Sequence, residues 1–273
     1  MSAQLREAAS VILLRRAEPG FEVFLLRRHR KASFMASAFV FPGGASEPGE
    51  DARTTAAREL FEEAGVLLAR VEDNVETKTL EVPIQSALRR RILEGADAHQ
   101  VMAEARIAWS TDPLVPWAHW ITPSIEPKRF SARFFVCEIP AGQEPSFDDV
   151  ETVDQAWVRP RDALAGELCL PPPQIRTFWE LSQLDTVEKV LAAGRARGDE
   201  PHPIMPRLRA PSAPGAPARP CLLLPWDPEY TDAGTGDATP LTYAPSWAVG
   251  PSRFVMEDKK WMHVAAPGST TAG

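Results

Sequence analysis

Three carboxylates at a metal-binding spacing are the residues with the clearest chemical potential in this chain. Glu59, Glu62 and Glu63 stand at positions i, i+3 and i+4. On an α-helix this spacing places them on one face, near enough for their charges to repel. A divalent cation is the simplest compensation, and oxygen-only ligands favour a hard ion such as Mg²⁺ or Mn²⁺. Taken alone, such a cluster is more often the solvated face of a surface helix.

The residues around the carboxylates predict the helix that carries them. Pro48-Gly49 is a turn signal, and Glu50 and Asp51 follow where negative charge is favoured by the helix dipole. Gly65 stands where a left-handed C-terminal residue is expected. An apolar stripe for a core recurs at helical spacing at Ala57, Leu60, Phe61 and Ala64.

Glycines and basic residues precede this helix. An apolar strand over residues 38–41 runs into Pro42-Gly43-Gly44, where backbone can approach a phosphate or a metal ion. A basic cluster lies just upstream and is either solvated surface or a set of phosphate contacts. Its members are Arg27, Arg28, Arg30 and Lys31. We take Arg28 and Arg30, with Arg129 further along the chain, as weak candidates for substrate binding.

The whole segment from residue 44 to 66 resembles the Nudix box. It matches the pattern G-x5-E-x7-R-E-L-x-E-E-x-G-V at every fixed position. The resemblance implies an α/β fold, the Nudix-type α/β/α sandwich with a mixed sheet. It also implies a divalent-metal hydrolase that cleaves a diphosphate linked to a nucleoside or another group. Glu50 would support the loop and the water shell of the metal.

The resemblance also implies roles for the other box residues. Glu62 and Glu63 would be metal ligands, and Glu59 would be a ligand or the general base. The carbonyl of Gly43 would be a further ligand. Arg58 would orient Glu59. The expected cofactor is Mg²⁺ or Mn²⁺.

Many members of the family add an acidic residue from a loop before a late strand. Glu151 lies six residues before Trp157, in such a loop. We predict Glu151 as general base or additional ligand, completing the catalytic set with Glu59 and Arg58. Two alternatives remain open: another acidic residue of the loop has this role, or the loop is a solvated acidic loop without a catalytic role. The competitors are Asp148 and Asp149, with Asp154 a weaker one.

Features outside the box resemble the branch that includes the mammalian peroxisomal coenzyme A diphosphatase and its bacterial relatives. They are the helical patterning over about 71–116, residues 119–123, Arg129-Phe130 and Phe134-Phe135. The coenzyme A signature of the family is poorly kept. Leu25, Arg28 and Phe41-Pro42-Gly43-Gly44 fit it, whereas Phe24, Leu26, His29, Ser33 and Ser37 do not. Coenzyme A or acyl-coenzyme A is favoured, and ADP-ribose, dinucleoside polyphosphates, NADH and capped RNA stay open.

Two other classes of function are weighed against hydrolysis. A non-catalytic Nudix-fold sensor or interaction module would usually have lost box glutamates, and this chain keeps them all. A Nudix-fold isomerase would need a catalytic cysteine near the site. Cys137 is the best placed of the three cysteines but carries no supporting motif.

The composition of the chain limits the classes of protein to which it can belong. The chain has 273 residues and a net charge of −7, which argues against the basic surface of a non-specific nucleic-acid binder. Its three scattered cysteines fit neither a disulfide framework nor a zinc site and favour a reducing cytoplasm. No run approaches the roughly 20 apolar residues of a membrane span. We expect a cytoplasmic protein that acts on a small-molecule diphosphate, with a homodimer left open.

The chain is predicted to have a main domain and an extension. Residues 1–200 would form the Nudix domain, and residues 201–273 a proline-rich, irregular extension packed on it. Helical patterning over about 71–116 replaces the strand that would normally follow the box. This insertion, with helices around Leu88 and over 98–108, could cap the active site, assist a dimer or only elaborate the packing.

The remaining patterns predict strands. Residues 8–16 and 21–28 read as a hairpin, and residues 130–139 as a core strand with alternating faces. Three late strands are expected at 221–224, 253–256 and 260–264. The density of aromatic residues suggests that the extension docks on the main body. These aromatics are Trp226, Tyr230, Trp247 and Trp261.

Overall fold

The computed structural model describes residues 4–30, 37–71, 80–149, 151–166, 168–209, 219–233 and 245–267. Lys31, Ser33 and residues 72–79 of the predicted insertion lie outside this set. The strands are β1 (Leu5–Arg16), β2 (Phe21–Arg28), β3 (Phe39–Val40), β4 (Gly43–Ala45), β5 (Ala69–Val71), β6 (Ile107–Trp109), β7 (Val115–Ile121), β8 (Arg129–Glu138), β9 (Thr152–Val158), β10 (Pro203–Ile204), β11 (Arg207–Leu208), β12 (Cys221–Leu223), β13 (Arg253–Glu257) and β14 (Lys260–Val264). The helices are α1 (Ala52–Ala64), α2 (Val82–Leu93), α3 (Ala98–Glu104), α4 (Pro160–Ala163), α5 (Pro172–Leu181) and α6 (Val187–Ala196). None of the described helices is long and apolar enough to cross a bilayer.

A mixed sheet of eight strands forms the centre of the molecule. Its main path is β10-β7-β8-β1-β2-β3, with β4 beside β1 and β9 beside β2. β1 runs parallel to β8, whereas β2 and β4 are antiparallel to β1. This arrangement gives the long β1 different neighbours along its two halves, so that β4 meets its N-terminal half.

Helices cover both faces of this sheet, as the predicted sandwich requires. Odd-numbered positions of β1, such as Val11 and Leu13, pack with Leu60 of α1. Even-numbered positions, such as Ile12, pack in the other core with residues of α5 and α6, among them Phe178. The alternation predicted for β8 is confirmed, because its residues divide between the two cores in the same way.

The helix of the Nudix box begins and ends where the sequence predicts. Asp51 caps α1 by accepting a hydrogen bond from the Thr54 backbone N–H at 2.7 Å. Gly65 ends it in the left-handed conformation, with φ of 69°. All four residues of the predicted stripe are fully buried: Ala57, Leu60, Phe61 and Ala64.

The insertion contains the two predicted helices, but it also contains strand, which the sequence did not predict. β5 and β6 pair antiparallel, joining Ala69 to Trp109. The second helix therefore ends at Glu104 and not at residue 108. Arg106 has φ of 54°, which stops the helix and redirects the chain into β6. A three-residue strand is too short to show a period of its own in the sequence.

The C-terminal extension is partly regular. β11, β12, β13 and β14 form a four-stranded antiparallel sheet that includes the three late strands predicted. Leu224 and Phe254 belong to the same core as α5 and α6. The aromatic residues Trp226, Trp247 and Trp261 pack against that core. The boundary at residue 200 stays a prediction.

Candidate active site

A cleft of about 770 Å³ brings the box residues together with one face of the central sheet. Glu59 and Glu63 of α1 line it, and so does Gly43 of β4. Arg28, at the end of β2, and Glu151, just before β9, also line it. The cleft therefore collects most of the residues predicted for the site, although they come from four separate segments of the chain.

The glycine turn lets the carboxylates approach the backbone closely. The Gly43 N–H donates a hydrogen bond to Glu63 Oε2 at 2.8 Å. A Cβ atom at Gly44 would lie only 2.5 Å from Glu59 Oε1, so a side chain there would push the carboxylate away. The glycines thus fix where Glu59 and Glu63 can stand.

Arg58 holds the acidic residues of the box in place. It is 3% exposed and donates to Glu50, to Glu59 Oε1 at 2.9 Å and to Glu62 Oε2 at 3.2 Å. A further bond reaches the Ala45 carbonyl at 3.0 Å, tying the helix to β4. The predicted contact between Arg58 and Glu59 is therefore present in the structure.

Glu50 is a buried anchor for this network. It accepts from Arg58 through both carboxylate oxygens, at 2.8 and 3.0 Å. Burial raises the pKa of this carboxyl, but its hydrogen bonds to Arg58 and to the Glu47 backbone N–H outweigh that effect. The net pKa is about 2. Glu50 is thus a permanent anion that fixes the guanidinium of Arg58.

The other three glutamates are shifted in the opposite direction. Burial raises the pKa of Glu59 to about 7, against the lowering effect of Arg58. Burial also raises the pKa of Glu62. Glu63 lies 6% exposed, and burial together with the charge of Glu59 lifts its pKa well above the usual range. Ionising all of them would place repelling charges in a poorly solvated site.

This donor set fits a hard divalent cation. Buried carboxylates that repel one another are stabilised when a cation neutralises them, and oxygen ligands suit Mg²⁺ or Mn²⁺. Glu59 and Glu62 accept hydrogen bonds from Arg58, whereas Glu63 accepts one from the Gly43 backbone N–H. Holding a shared ion would need the carboxylates to turn from these partners.

Glu151 is the acidic residue of its loop that reaches the cleft. Its charge contributes to the raised pKa values of Glu59 and Glu63. Asp148 instead organises the loop, accepting hydrogen bonds from the backbone N–H groups of Glu151 and Thr152, each at 3.0 Å. The other two competitors also stay out of the cleft lining among the described residues. Asp154 pairs with Arg27 at 3.2 Å, and Asp149 adopts φ of 62°.

The three candidate substrate arginines have different positions. Arg28 lines the cleft, and its Nη2 lies 3.9 Å from Glu151 Oε2. Arg129 is turned away, donating from Nε to the Thr122 carbonyl at 3.0 Å. Arg30 is exposed, and the described residues that line the cleft include neither it nor Arg129. The structure therefore brings Arg28 alone of the three to the cleft.

Two residues of the insertion contact the box in ways the sequence does not reveal. Arg89 of α2 donates to the carbonyls of Glu62 and Glu63 at 3.0 and 2.8 Å, at the last turn of α1. It also donates to Ser146 Oγ at 2.7 Å. His99 of α3 lies 2.8 Å from Glu50 Oε1. No local pattern predicts them, since both contacts join distant parts of the chain.

His99 also belongs to a small group of metal-type donors. Among the described residues, ligand atoms of Glu47, Glu50 and His99 lie within 4.8 Å of one another. Glu50, however, already accepts two hydrogen bonds from Arg58. We therefore interpret this group as a polar contact between the insertion and the box.

The cysteine required by the isomerase hypothesis is not available for catalysis. Cys137 is fully buried in the core beneath α1. Burial raises the pKa of its thiol to about 12, and its Sγ donates to the Glu138 carbonyl. A neutral thiol in an apolar core is unreactive, which argues against this alternative.

Comparisons with known proteins agree on one family. A family profile for the NUDT19 Nudix domain matches residues 47–184, about half of the chain. A Caenorhabditis elegans protein named as a nudix hydrolase is 31% identical over 67% of this chain and 63% of its own length. The Xenopus laevis acyl-coenzyme A diphosphatase NUDT19 is 29% identical over 60% of each chain. The chain thus spans somewhat less than two thirds of these relatives.

A solved structure shows the same fold. The crystal structure of a NUDIX hydrolase from Alicyclobacillus acidocaldarius has 27% sequence identity and a TM-score of 0.61. The likeness covers 70% of this chain and 96% of that structure. The central sheet and its helices therefore follow an architecture already seen in a hydrolase of this kind.

Proposed function

The chain belongs to the Nudix hydrolase family, and on that premise we propose that it cleaves the diphosphate linkage of coenzyme A or acyl-coenzyme A. The observation that carries the proposal is a cleft that joins two box glutamates, Glu59 and Glu63, to a long sheet face; Glu62 is not among its lining residues. The Xenopus relative named acyl-coenzyme A diphosphatase supports the choice of substrate. We propose Mg²⁺ or Mn²⁺ as the cofactor.

The proposed metal site uses Glu59, Glu62, Glu63 and the Gly43 carbonyl. When bound, the ion would neutralise the diphosphate and the glutamates and polarise the reacting phosphorus. The chain's own residues set the geometry. Before an ion binds, Arg58, held by Glu50, positions Glu59, and the Gly43 N–H positions Glu63; the two carboxylates would exchange these partners for the ion.

The proposed reaction is an in-line hydrolysis. A water oxygen attacks one phosphorus, its proton passes to a carboxylate, and the bridging P–O bond breaks. The products are two monophosphate-bearing fragments. Glu151 and Glu59 are the candidate bases, since both line the cleft. Arg28, in the same cleft, would contact a phosphate oxygen.

A substrate panel tests the proposal. We would incubate the full chain with Mg²⁺ or Mn²⁺ and coenzyme A, acyl-coenzyme A, ADP-ribose, NADH, diadenosine tetraphosphate or capped RNA. Preferential cleavage of the coenzyme A compounds is expected. Cleavage of another compound alone would contradict the choice of substrate. Cleavage of none would favour the non-catalytic sensor.

The homodimer and the cytoplasmic location also remain proposals. Two apolar side chains exposed on the same side of α2, Val82 and Leu93, offer a surface for self-association. Sedimentation at several concentrations, compared with a Leu93→Glu variant, would test the dimer. The free thiols of Cys137, Cys169 and Cys221 are compatible with a reducing compartment. Cell fractionation would test that location.

A further inference from the structure

The cleft extends well beyond the carboxylates, across one face of the central sheet. Ala45 of β4 pairs with Ala8 of β1, Ala8 with Ala132 of β8, and Ala132 with Trp120 of β7. All four residues line the cleft. Three strand spacings, about 14 Å in total, therefore separate Ala45 beside the box from Trp120. This row, the cleft floor, is long enough for an extended chain attached to a diphosphate.

The C-terminal extension lines the part of the cleft remote from the box. Pro206, Leu222 and Trp261 all line the cleft. Pro206 follows β10, whose Ile204 pairs with Trp120. This places the start of the extension at the Trp120 end of the floor. We call these three apolar residues the extension wall.

The chemistry of the floor changes along its length. Near the box the lining is charged, with Glu59, Glu63 and Arg28. Around Trp120 and the extension wall most of the lining side chains are apolar, and the loop after β7 adds the charged residues Glu126 and Lys128 at the edge. The apolar side chains include Phe41, Phe130, Phe134 and Pro172. One end of the cleft thus suits a diphosphate with its cation, and the other suits an apolar chain.

Two lining residues in this region carry unpaired polar atoms. Trp120 is 4% exposed and Gln174 is 7% exposed. Within the described part of the protein, Trp120 Nε1 and Gln174 Oε1 have no hydrogen-bond partner. Buried donors and acceptors are rarely left unpaired. Both atoms are covered in the ligand-free protein, so their side chains would have to shift before a ligand amide could accept from the indole N–H and donate to the Gln174 oxygen.

We propose that the extension wall and the Trp120 end of the floor form a subsite for an apolar, amide-bearing chain of the substrate, with Leu222 and Trp261 selecting which chains fit. The inference rests on the proposed function, because the pantetheine arm and acyl group of an acyl-coenzyme A have this chemistry. It adds a role for the extension, which lies outside the Nudix box.

A ligand without phosphate tests the subsite separately from hydrolysis. We would measure the binding of S-acylated pantetheine to the full chain by calorimetry. The parent is expected to bind, and Trp261→Ala and Leu222→Ala should each weaken binding about tenfold, because they remove large apolar contacts. Trp261→Phe should retain most of the affinity. Met262→Ala is the matched control, since Met262 neighbours Trp261 on β14 but is exposed and absent from the cleft lining among described residues.

Hydrolysis kinetics give the second measurement. With acyl-coenzyme A, Trp261→Ala and Leu222→Ala should raise KM with little change in kcat, since they remove binding common to ground and transition states. Met262→Ala should leave both constants at the values of the parent. Thermal unfolding would verify that each variant is folded.

The binding and kinetic measurements together distinguish a failure of the subsite from a failure of the proposed function. If the parent cleaves acyl-coenzyme A but both alanine variants bind and turn over like the parent, the subsite is wrong and the proposed function stands. If acylated pantetheine binds as expected but no coenzyme A compound is cleaved, the proposed function fails and the subsite stands. Absence of binding by the parent would overturn the subsite outright.

Discussion

At the scale of single residues, burial and one arginine give four neighbouring glutamates different chemistry. Arg58 keeps Glu50 ionised, with a pKa of about 2. Glu59 has the same arginine as a partner, yet burial raises its pKa to about 7. Glu63 accepts a hydrogen bond from the Gly43 backbone N–H, and burial together with the charge of Glu59 raises its pKa well above the usual range. The metal-free site is therefore electrostatically strained at neutral pH.

Because the buried carboxylates repel one another, a substitution that removes the charge of Glu63 should stabilise the metal-free protein. The unfolded chain releases the Glu63 proton near pH 4.5, whereas the folded chain retains it to higher pH. Stability is therefore lost as pH rises above about 4.5. In chelator at pH 8, Glu63→Gln should raise the melting temperature, by roughly 2–4 °C for each kcal/mol of relieved strain. The difference in melting temperature between Glu63→Gln and the parent should become smaller as the pH is lowered towards 4.5.

The control for this prediction is Glu144→Gln, which changes an exposed glutamate on a loop. It should leave the melting temperature nearly unchanged at both pH values. Addition of Mn²⁺ at pH 8 should stabilise the parent more than Glu63→Gln. A lower melting temperature for metal-free Glu63→Gln at pH 8 would contradict the electrostatic argument.

At the scale of elements, the insertion supports the C-terminal end of the box helix. Arg89 places its guanidinium on the carbonyls of Glu62 and Glu63, where a helix carries partial negative charge. The same side chain reaches Ser146, joining α1, α2 and the loop before β9. Arg89 therefore positions two proposed metal ligands through their backbone.

Removal of this contact should impair both stability and catalysis. Arg89→Met would leave carbonyls without a strong donor, at a cost of about 1–3 kcal/mol. It should also lower kcat and raise the Mn²⁺ concentration needed for half-maximal rate, because Glu62 and Glu63 lose their support. Arg90→Met, on the exposed side of the same helix, is the matched control. An unchanged metal requirement in Arg89→Met would show that the contact is only structural.

The sequence predicts elements well where their signals are local. The box helix has its acidic start, stripe and terminal glycine within a few residues; the structure confirms its bounds and its stripe and adds that Asp51 is its cap. The contacts of Arg89 and His99 join segments far apart in the chain, so no spacing reveals them. β6 escapes prediction because its pairing with β5, and not its own pattern, makes it a strand.

At the scale of the whole molecule, hydrogen bonds from a buried arginine attach the extension to the main body. Arg176 of α5 is 1% exposed and pairs with Glu180 at 2.8 Å. It also donates to the carbonyls of Val249, Pro251 and Trp247. The aromatic residues of the extension predicted that it docks. Arg176 carries no sequence signal of this role, because the carbonyls that it contacts in the extension lie more than 70 positions away.

Removal of the Arg176 contacts should lower the free energy of unfolding of the whole protein. Arg176→Met leaves Glu180 partly unpaired and three carbonyls without their donor, so a loss of about 3–5 kcal/mol is expected. Urea denaturation would measure it. Arg161→Met, at an exposed position of α4, should cost little. Equal stability of the two variants would contradict the anchoring role.

The central claim is that the box glutamates hold a divalent cation for diphosphate hydrolysis. The most direct measurement is Mn²⁺-dependent turnover of the best substrate by the parent, Glu62→Gln and Glu63→Gln, each verified as folded by thermal unfolding. The expected result is a loss of turnover beyond the roughly 10–100-fold typical of outer-shell changes, without loss of the fold. Turnover equal to that of the parent in either variant would contradict the account.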